Sequence, residues 1–165
     1  IAGLPADTPE GFRRSLDKCL ELGADDITIH TLALKKGSRI LLEGLPIPGP
    51  EDVAAMLDYA APALRKAGYS PYYLYRQKYM SGSFENVGWC RPGGECWYNV
   101  DIMSELCSIL SFGAGGSTKM VEPGTNHIER VFNVKYPKEY TERPEKVLAN
   151  QAAFAEFYQK YVPET

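Results

Sequence analysis

Two stretches of the chain carry the same helix-start pattern. Residues 3–10 and 44–51, which begin 41 positions apart, both read Gly-Leu-Pro, three variable residues and Pro-Glu. Proline suits the first helical turn, and glutamate there faces the positive end of the helix dipole. Apolar residues at helical spacing follow both copies, and Gly23 and Gly68 predict the helix ends. The pattern has two equally good explanations. The segments are copies of one internal repeat, or two unrelated helices begin with the same type of capping residues.

Strand-forming residues follow each predicted helix. Residues 26–33 are rich in isoleucine and threonine, and residues 69–75 are rich in tyrosine. The order strand, helix, strand, helix, strand over residues 1–75 predicts βα units and a parallel sheet. The carboxyl ends of such strands, near residues 3–5, 33–38 and 76–78, are where functional groups gather in α/β proteins.

The second half of the chain has a different character. Residues 81–99 are rich in glycine and turn formers, and residues 144–162 predict a helix with an aromatic seam. We interpret that seam as core packing. Residues 113–119 read Gly-Ala-Gly-Gly-Ser-Thr-Lys, in which the lysine follows the hydroxyl residues, so the run does not match a phosphate-binding loop. A flexible turn remains, suited either to close approach of a ligand or to tight packing.

Charge and composition argue against several functional classes. The net charge of −3 argues against a nucleic-acid binder that relies on bulk positive charge. No stretch approaches the ~18 apolar residues of a membrane-spanning helix. We therefore expect a cytoplasmic protein without a membrane span and without a nucleic-acid partner.

The four cysteines form no C-x-x-C pair. They are Cys19, Cys90, Cys96 and Cys107. Structural zinc sites use closer ligand pairs, so we expect four free thiols in a reducing compartment and no metal site. A disulfide or metal clip between Cys90 and Cys96 is the alternative.

The side chains richest in chemistry lie on the predicted strands. His30 is interpreted either as a core histidine or as a ligand-contacting group that titrates near neutral pH. His127, in a polar segment, is expected to be solvated. Residues 72–79 interleave tyrosines with Arg76 and Lys78. This pattern suits a planar polyanion, a single-stranded nucleic acid, or a strand with alternating buried and exposed aromatics.

Taken in order, several segments resemble the oxygen-independent coproporphyrinogen III oxidase family of radical S-adenosylmethionine proteins. The resemblance rests on Ile-Ala-Gly-Leu-Pro at 1–5, Ile-Thr-Ile-His-Thr-Leu-Ala at 27–33 and Phe-Gly-Ala-Gly-Gly-Ser at 112–117. Residues 72–78 and Phe-Glu-Asn-Val-Gly at 84–88 are similar to one branch, the coproporphyrinogen dehydrogenase-like proteins. The resemblance covers nearly all of this chain, but only about the C-terminal third of such a protein.

The resemblance implies a fold and a partner. The expected fold is α/β, with the last βα units of a partial (β/α) barrel in residues 1–80 and a C-terminal α+β extension in residues 81–165. Ile1 is interpreted as lying within a strand, so the chain is expected to be a fragment. The missing N-terminal barrel portion would be its main partner, and an exposed barrel edge would allow a dimer.

The resemblance also implies cofactors and site residues. A [4Fe-4S] cluster and S-adenosylmethionine are expected in the parent protein. The cluster motif C-x-x-x-C-x-x-C is not in this sequence, so neither cofactor is expected on this chain alone. By position, Ile1 and Ala33 match residues that line the cofactor's adenosine, and Gly3, beside them at a strand end, is the third candidate for cofactor binding. The candidates for substrate binding are His30, Arg76, Lys78, Gly113 and Gly115, and no catalytic residue is assigned.

Three functions stay open. The first is oxidative decarboxylation of coproporphyrinogen propionates to vinyl groups by the parent enzyme, with this chain inactive alone. The second is haem trafficking by a protein of the same architecture, and the third is a non-catalytic binding module. A tetrapyrrole is the expected substrate or ligand under the first two, so whether the parent is an enzyme stays undecided.

Overall fold

The computed structural model describes residues 1–34, 38–76 and 84–162. The chain divides into two compact units, Ile1–Val100 and Asp101–Thr165. It is mixed α/β, as predicted, with two small antiparallel sheets. Within the described ranges, no helix is long and apolar enough to cross a lipid bilayer.

The first unit contains both predicted helices. α1 covers Pro9–Glu21, α2 is the short Arg39–Leu42 and α3 covers Pro50–Lys66. The Thr8 hydroxyl caps α1 by accepting a hydrogen bond from the Gly11 N–H at 3.1 Å. α1 and α3 both begin at the proline of the repeated pattern, which confirms the predicted helix starts.

Three strands form the sheet of the first unit. They are β1 (Asp26–Ile29), β2 (Ser70–Tyr75) and β3 (Asn86–Cys90). β3 lies in the centre and runs antiparallel to both neighbours, so β1 and β2 point the same way without pairing. The parallel pairing that the sequence predicted is present, among the described residues, as a single bridge between Ala2 and Thr31.

The central strand β3 lies in the region that the sequence assigned to turns. Glycine inside a strand usually marks a close approach of another group, and Gly88 fits that rule. A Cβ atom added at Gly88 would lie 1.9 Å from Cε1 of Tyr73. β3 follows residue 80 but pairs with two strands that precede it. The division of the chain into residues 1–80 and 81–165 stays a prediction.

The core of the first unit lies between the helices and one face of the sheet. Ile29 of β1 and Trp89 of β3 pack with residues of α1 and α3, since alternate strand residues point to the same side. The buried members of this core are Ala2, Phe12, Leu16, Ile29, Val53, Met56, Ala60, Leu64, Tyr69 and Trp89. The other face of the sheet is therefore left for polar side chains.

The second unit is a β-hairpin covered by helices. α4 (Trp97–Met103) crosses the boundary between the units. The hairpin consists of β4 (Ser117–Val121) and β5 (Ile128–Phe132), followed by α5 (Pro137–Glu142) and α6 (Pro144–Tyr161). α6 contacts both strands of the hairpin.

Two features of the second unit bear on the sequence analysis. Phe157 of α6 is buried among aromatic rings, which confirms the packing interpretation of the aromatic seam. The glycine-rich turn is shorter than predicted, because Thr118 and Lys119 belong to β4 and are buried. The Lys119 ammonium donates to the Ile102 carbonyl at 3.1 Å and lies 3.6 Å from a Glu105 carboxylate oxygen.

His127 is held between the hairpin and α6, and the expectation that it is solvated is corrected. Its Nδ1 lies 3.0 Å from Glu122 and its Nε2 lies 3.3 Å from Glu129. The Tyr161 ring packs edge-on at 4.8 Å between centroids. The sequence places His127 in a polar turn, but the register of the hairpin and the packing of α6 half-bury its ring.

The contact at Gly88 gives a stability prediction. Gly88→Ala should destabilise the chain by about 2 kcal/mol, since the new methyl group overlaps the Tyr73 ring and forces strand or ring to move. Urea denaturation followed by circular dichroism measures the change. Gly49→Ala is the matched control, because a Cβ atom at that position meets nothing within 4 Å. Equal midpoints for the two variants would contradict the account.

Candidate functional site

A row of tyrosines covers the face of the three-stranded sheet that points away from the apolar core. Side chains of β2 cross the central strand and meet side chains of β1 and its extension. We call this surface the tyrosine face, and it consists of Asp26, Thr28, His30, Tyr72, Tyr73, Tyr75 and Gly88.

Three hydrogen bonds span the tyrosine face. Each joins a phenol of β2 to a polar group on or next to β1: Tyr72 donates to Asp26 Oδ2 at 2.5 Å, Tyr73 pairs with Thr28 Oγ1 at 2.9 Å and Tyr75 pairs with His30 Nδ1 at 3.2 Å. The three bonds tie together two strands that share no backbone pairing.

The missing side chain at Gly88 makes these bonds possible. The Tyr73 ring lies across Gly88, where any larger residue of β3 would block its path to Thr28. The rings of Tyr73 and Tyr75 are nearly parallel, with centroids 6.3 Å apart and an angle of 6° between the planes. The face therefore presents aligned aromatic rings whose phenols are already hydrogen-bonded.

Burial favours the neutral forms of three titratable groups of the face. Burial raises the pKa of Tyr72 to about 12; the hydrogen bond to Asp26 adds to this rise, and the one from Asn99 opposes it. Burial also raises the pKa of Tyr73. For His30, burial and then the charge of the N-terminal amino group lower the pKa. The face thus combines these groups and aromatic rings with the acidic side chain of Asp26.

A buried amide supports the edge of this face and is not predicted by the sequence analysis. Asn86 is 2% exposed, and its Oδ1 accepts a hydrogen bond from the Thr31 N–H at 2.8 Å. The Thr31 hydroxyl is buried and has no hydrogen-bond partner among the residues that the structure describes. An asparagine at the start of an apolar strand is the one sequence signal that could have indicated this contact.

The residues predicted to contact the adenosine cofactor lie near His30. The Ala2 N–H donates to the His30 carbonyl at 2.7 Å, and the Leu32 N–H donates to Ala2 at 2.9 Å. These bonds place Ile1 and Gly3 beside the segment that leads to Ala33. Ile1 is exposed, and Gly3 has a φ of +89°.

The absence of a side chain at Gly3 has a packing explanation. A Cβ atom there would lie 3.2 Å from Val53 Cγ2, and the left-handed backbone favours glycine. The space that glycine leaves at this position faces α3. The cofactor roles of Ile1, Gly3 and Ala33 stay predictions.

Of the two basic residues predicted to bind substrate, Arg76 and Lys78, the structure describes Arg76. Arg76 follows β2 directly and forms an ion pair with Glu85 at 3.0 Å, with more than half of its side chain exposed. Lys78 lies outside the described residues. Arg76 can exchange its partner for a ligand carboxylate, since exposed ion pairs contribute little free energy.

Gly113 and Gly115 lie in a turn of the second unit. Both have positive φ angles, of +91° and +73°. The Gly113 N–H donates to the Tyr140 hydroxyl at 3.0 Å, and the Gly115 N–H donates to the Val134 carbonyl at 2.8 Å. Protein groups therefore already bind the backbone donors of this turn, and a ligand role for the two glycines stays a prediction.

The four cysteines are free. Cys19 is exposed, Cys90 is buried, and Cys96 and Cys107 are half-buried. Burial raises the pKa of the Cys90 thiol, which disfavours the thiolate that metals bind. In the described ranges no three His, Cys, Asp or Glu side chains are grouped so that they could hold a metal ion. These residues do not fit an iron–sulfur cluster.

Comparison with known proteins supports the resemblance drawn from the sequence. No family model matches the chain, and no solved structure does. The oxygen-independent coproporphyrinogen-III oxidase-like protein HemZ of Bacillus subtilis is 39% identical over 145 residues. The match covers 87% of this chain and 29% of HemZ.

A second relative extends the comparison. The heme chaperone HemW of Mycobacterium tuberculosis is 27% identical over 149 residues, which cover 86% of this chain and 33% of HemW. The chain therefore spans about a third or less of these two relatives. The resemblance drawn from the sequence is confirmed.

The environment of Tyr72 gives a pH prediction. Because its folded pKa of about 12 exceeds the ordinary value of 10.0, Tyr72 stabilises the fold fully below pH 10 and loses this contribution between pH 10 and 12. Difference absorbance between the chain and Tyr72→Phe should show one phenol titrating near pH 12. Asp26→Asn should move that transition towards lower pH, because it removes a negative charge next to the phenol. Titration of Tyr72 near pH 10 in the parent chain would contradict the raised pKa.

Proposed function

We propose that this chain is part of a longer protein that acts on a tetrapyrrole in haem metabolism, as an oxygen-independent coproporphyrinogen-III oxidase of the radical S-adenosylmethionine type. The observation that carries the proposal is the 39% identity to HemZ over 87% of the chain. The substrate class comes from the name of that relative. The chain alone is inactive, because its described residues provide no ligands for an iron–sulfur cluster.

Each part of the chain has a role in this proposal. S-adenosylmethionine, bound beside a reduced iron–sulfur cluster of the longer protein, would accept one electron and split into methionine and a 5′-deoxyadenosyl radical, which would abstract hydrogen from a substrate propionate. Ile1 and Ala33 form one wall of its adenosine subsite, next to the bridge between Ala2 and Thr31. The tyrosine face receives the macrocycle through ring contacts and neutral hydrogen bonds. Arg76, exposed at the end of β2, binds a substrate carboxylate.

The fold proposal is that residues 1–80 provide the last βα units of a partial (β/α) barrel and that residues 81–165 form its extension. Three observations support it: the parallel bridge at Ala2, the helices on the apolar face of the sheet and the polar groups on the other. The missing N-terminal barrel portion would pair beside Ala2 in the cytoplasmic protein. Without it, the exposed edge would favour a dimer of the isolated chain.

A second candidate function is haem carriage. HemW, whose name describes a heme chaperone, is 27% identical over 86% of the chain. The aromatic rings of the tyrosine face suit a planar macrocycle in either function, so the face does not distinguish the two. The oxidase and the haem carrier differ in whether the protein converts coproporphyrinogen to a product.

An anaerobic assay tests the enzymatic proposal. The longer protein, with its cluster reconstituted and a reductant and S-adenosylmethionine added, should convert coproporphyrinogen III to a product with vinyl groups. Ala33→Phe should weaken S-adenosylmethionine binding about tenfold, which corresponds to roughly 1.4 kcal/mol of lost contact free energy. Leu22→Gln is the control, because Leu22 lies exposed at the end of α1.

The outcomes separate the two candidates. Haem binding without turnover of coproporphyrinogen would favour carriage over oxidation. Neither turnover nor tetrapyrrole binding would contradict both functions. Equal S-adenosylmethionine affinity in Ala33→Phe and the parent protein would remove Ala33 from the cofactor site and leave the reaction class intact.

A further inference from the structure

Two cations of the second unit hold the carboxylate of Glu105 between them. One nitrogen of the Arg130 guanidinium lies 3.1 Å from Oε1 of Glu105 and 3.4 Å from Oε2. The Lys119 ammonium lies 3.6 Å from the same Oε2. Arginine and lysine together are a common protein partner of carboxylates, and here their two positive charges meet a single carboxylate.

Lys119 is buried and has unused hydrogen-bond donors. Its side chain is 7% exposed. An ammonium group has three donors, but among the described residues Lys119 makes one hydrogen bond, to the Ile102 carbonyl at 3.1 Å. The Glu105 oxygen at 3.6 Å lies beyond ordinary hydrogen-bond distance. Because buried donors without partners are unfavourable, this ammonium favours an acceptor that comes closer than Glu105 does.

The backbone of Glu105 is strained. Its φ of +57° lies in the left-handed region, which disfavours residues that carry a Cβ atom. Such residues persist where surrounding contacts compensate for the strain, and they are concentrated at binding sites and switch regions. The ion pairs with Lys119 and Arg130 are compensating contacts of this kind. An anion that replaced Glu105 between the two cations would allow this backbone to relax.

Glu105 also lines a cleft of about 480 Å³ in the second unit. Leu106 and Ile128 give the cleft apolar walls, and the turn between β4 and β5 lines the rest. The other acidic residue of the wall, Glu122, has its carboxylate 3.0 Å from Nδ1 of His127. Small-molecule sites are typically clefts of this kind, with mostly apolar walls and a few polar groups that orient the ligand. The cleft therefore suits a molecule with an apolar body whose carboxylate takes the place of Glu105.

We propose that Lys119 and Arg130 form a binding site for the carboxylate of a small organic acid, and that Glu105 is an internal competitor that occupies this site until the acid displaces it. The apolar walls of the cleft select an acid with an aliphatic or aromatic body. The site lies in the second unit and does not depend on the tetrapyrrole reaction proposed above.

Calorimetric titration of the 165-residue chain with hexanoate tests the proposal, and 1-hexanol, which has the alkyl chain without the carboxylate, is the second probe. Glu105→Gln should raise the affinity for hexanoate at least about tenfold, because it removes the competing charge, and should leave the affinity for hexanol unchanged. Adding Arg130→Gln to this variant should abolish the gain. Glu142→Gln is the matched control, because it removes an exposed carboxylate of the same unit that pairs with Lys138.

A second variant keeps the proposal testable if Glu105→Gln fails to fold. Glu105→Gly also removes the carboxylate, and glycine adopts the left-handed backbone without strain, so this variant should fold and show the same gain. Equal hexanoate affinity in the parent chain and in either variant, once circular dichroism shows it folded, would overturn the proposal. An equal gain in Glu142→Gln would indicate a general charge effect, and an equal gain for hexanol would indicate an apolar cleft without an anion site. Either result would also overturn the proposal.

Discussion

The contact between the Tyr73 ring and the bare backbone of Gly88 decides the arrangement of the first unit. Because β3 has no side chain at that point, a tyrosine of β2 crosses it and bonds to Thr28 of β1. The same register brings Tyr72 to Asp26 and Tyr75 to His30. Two strands that never pair through their backbones are thereby held at a fixed spacing.

This arrangement gives the sheet two chemically different sides. The apolar side buries Ile29 and Trp89 against the helices, and this packing provides the hydrophobic stabilisation of the unit. The other side is aromatic and polar, and its three phenols are already hydrogen-bonded to groups on or next to β1. A surface of this kind needs little reorganisation to bind a flat ligand, which lowers the entropic cost of binding.

The sequence predicted what depends on local chemistry. Capping residues and the first-turn prolines located α1 and α3, and the ordered motifs identified the family. His30 and the tyrosine-rich strand were both selected as chemically active. The sequence could not predict contacts between distant residues. β3 contains Gly88, and only the position of the Tyr73 ring explains why a glycine stands there. β4 was missed because polar Thr118 and Lys119 are buried, with partners at Ser111 and Ile102 that lie 7 and 17 residues before them.

Proton NMR of the chain tests the central claim, that the tyrosine face is built over Gly88. Ring protons of Tyr73 should show strong nuclear Overhauser effects to the Gly88 α protons, and the ring current should shift those α protons upfield from their usual position. Tyr73→Leu should abolish the upfield shift. Gly88 α protons at ordinary shifts, with no Overhauser effect to any tyrosine ring, would show that Tyr73 does not cross β3 and would contradict the account.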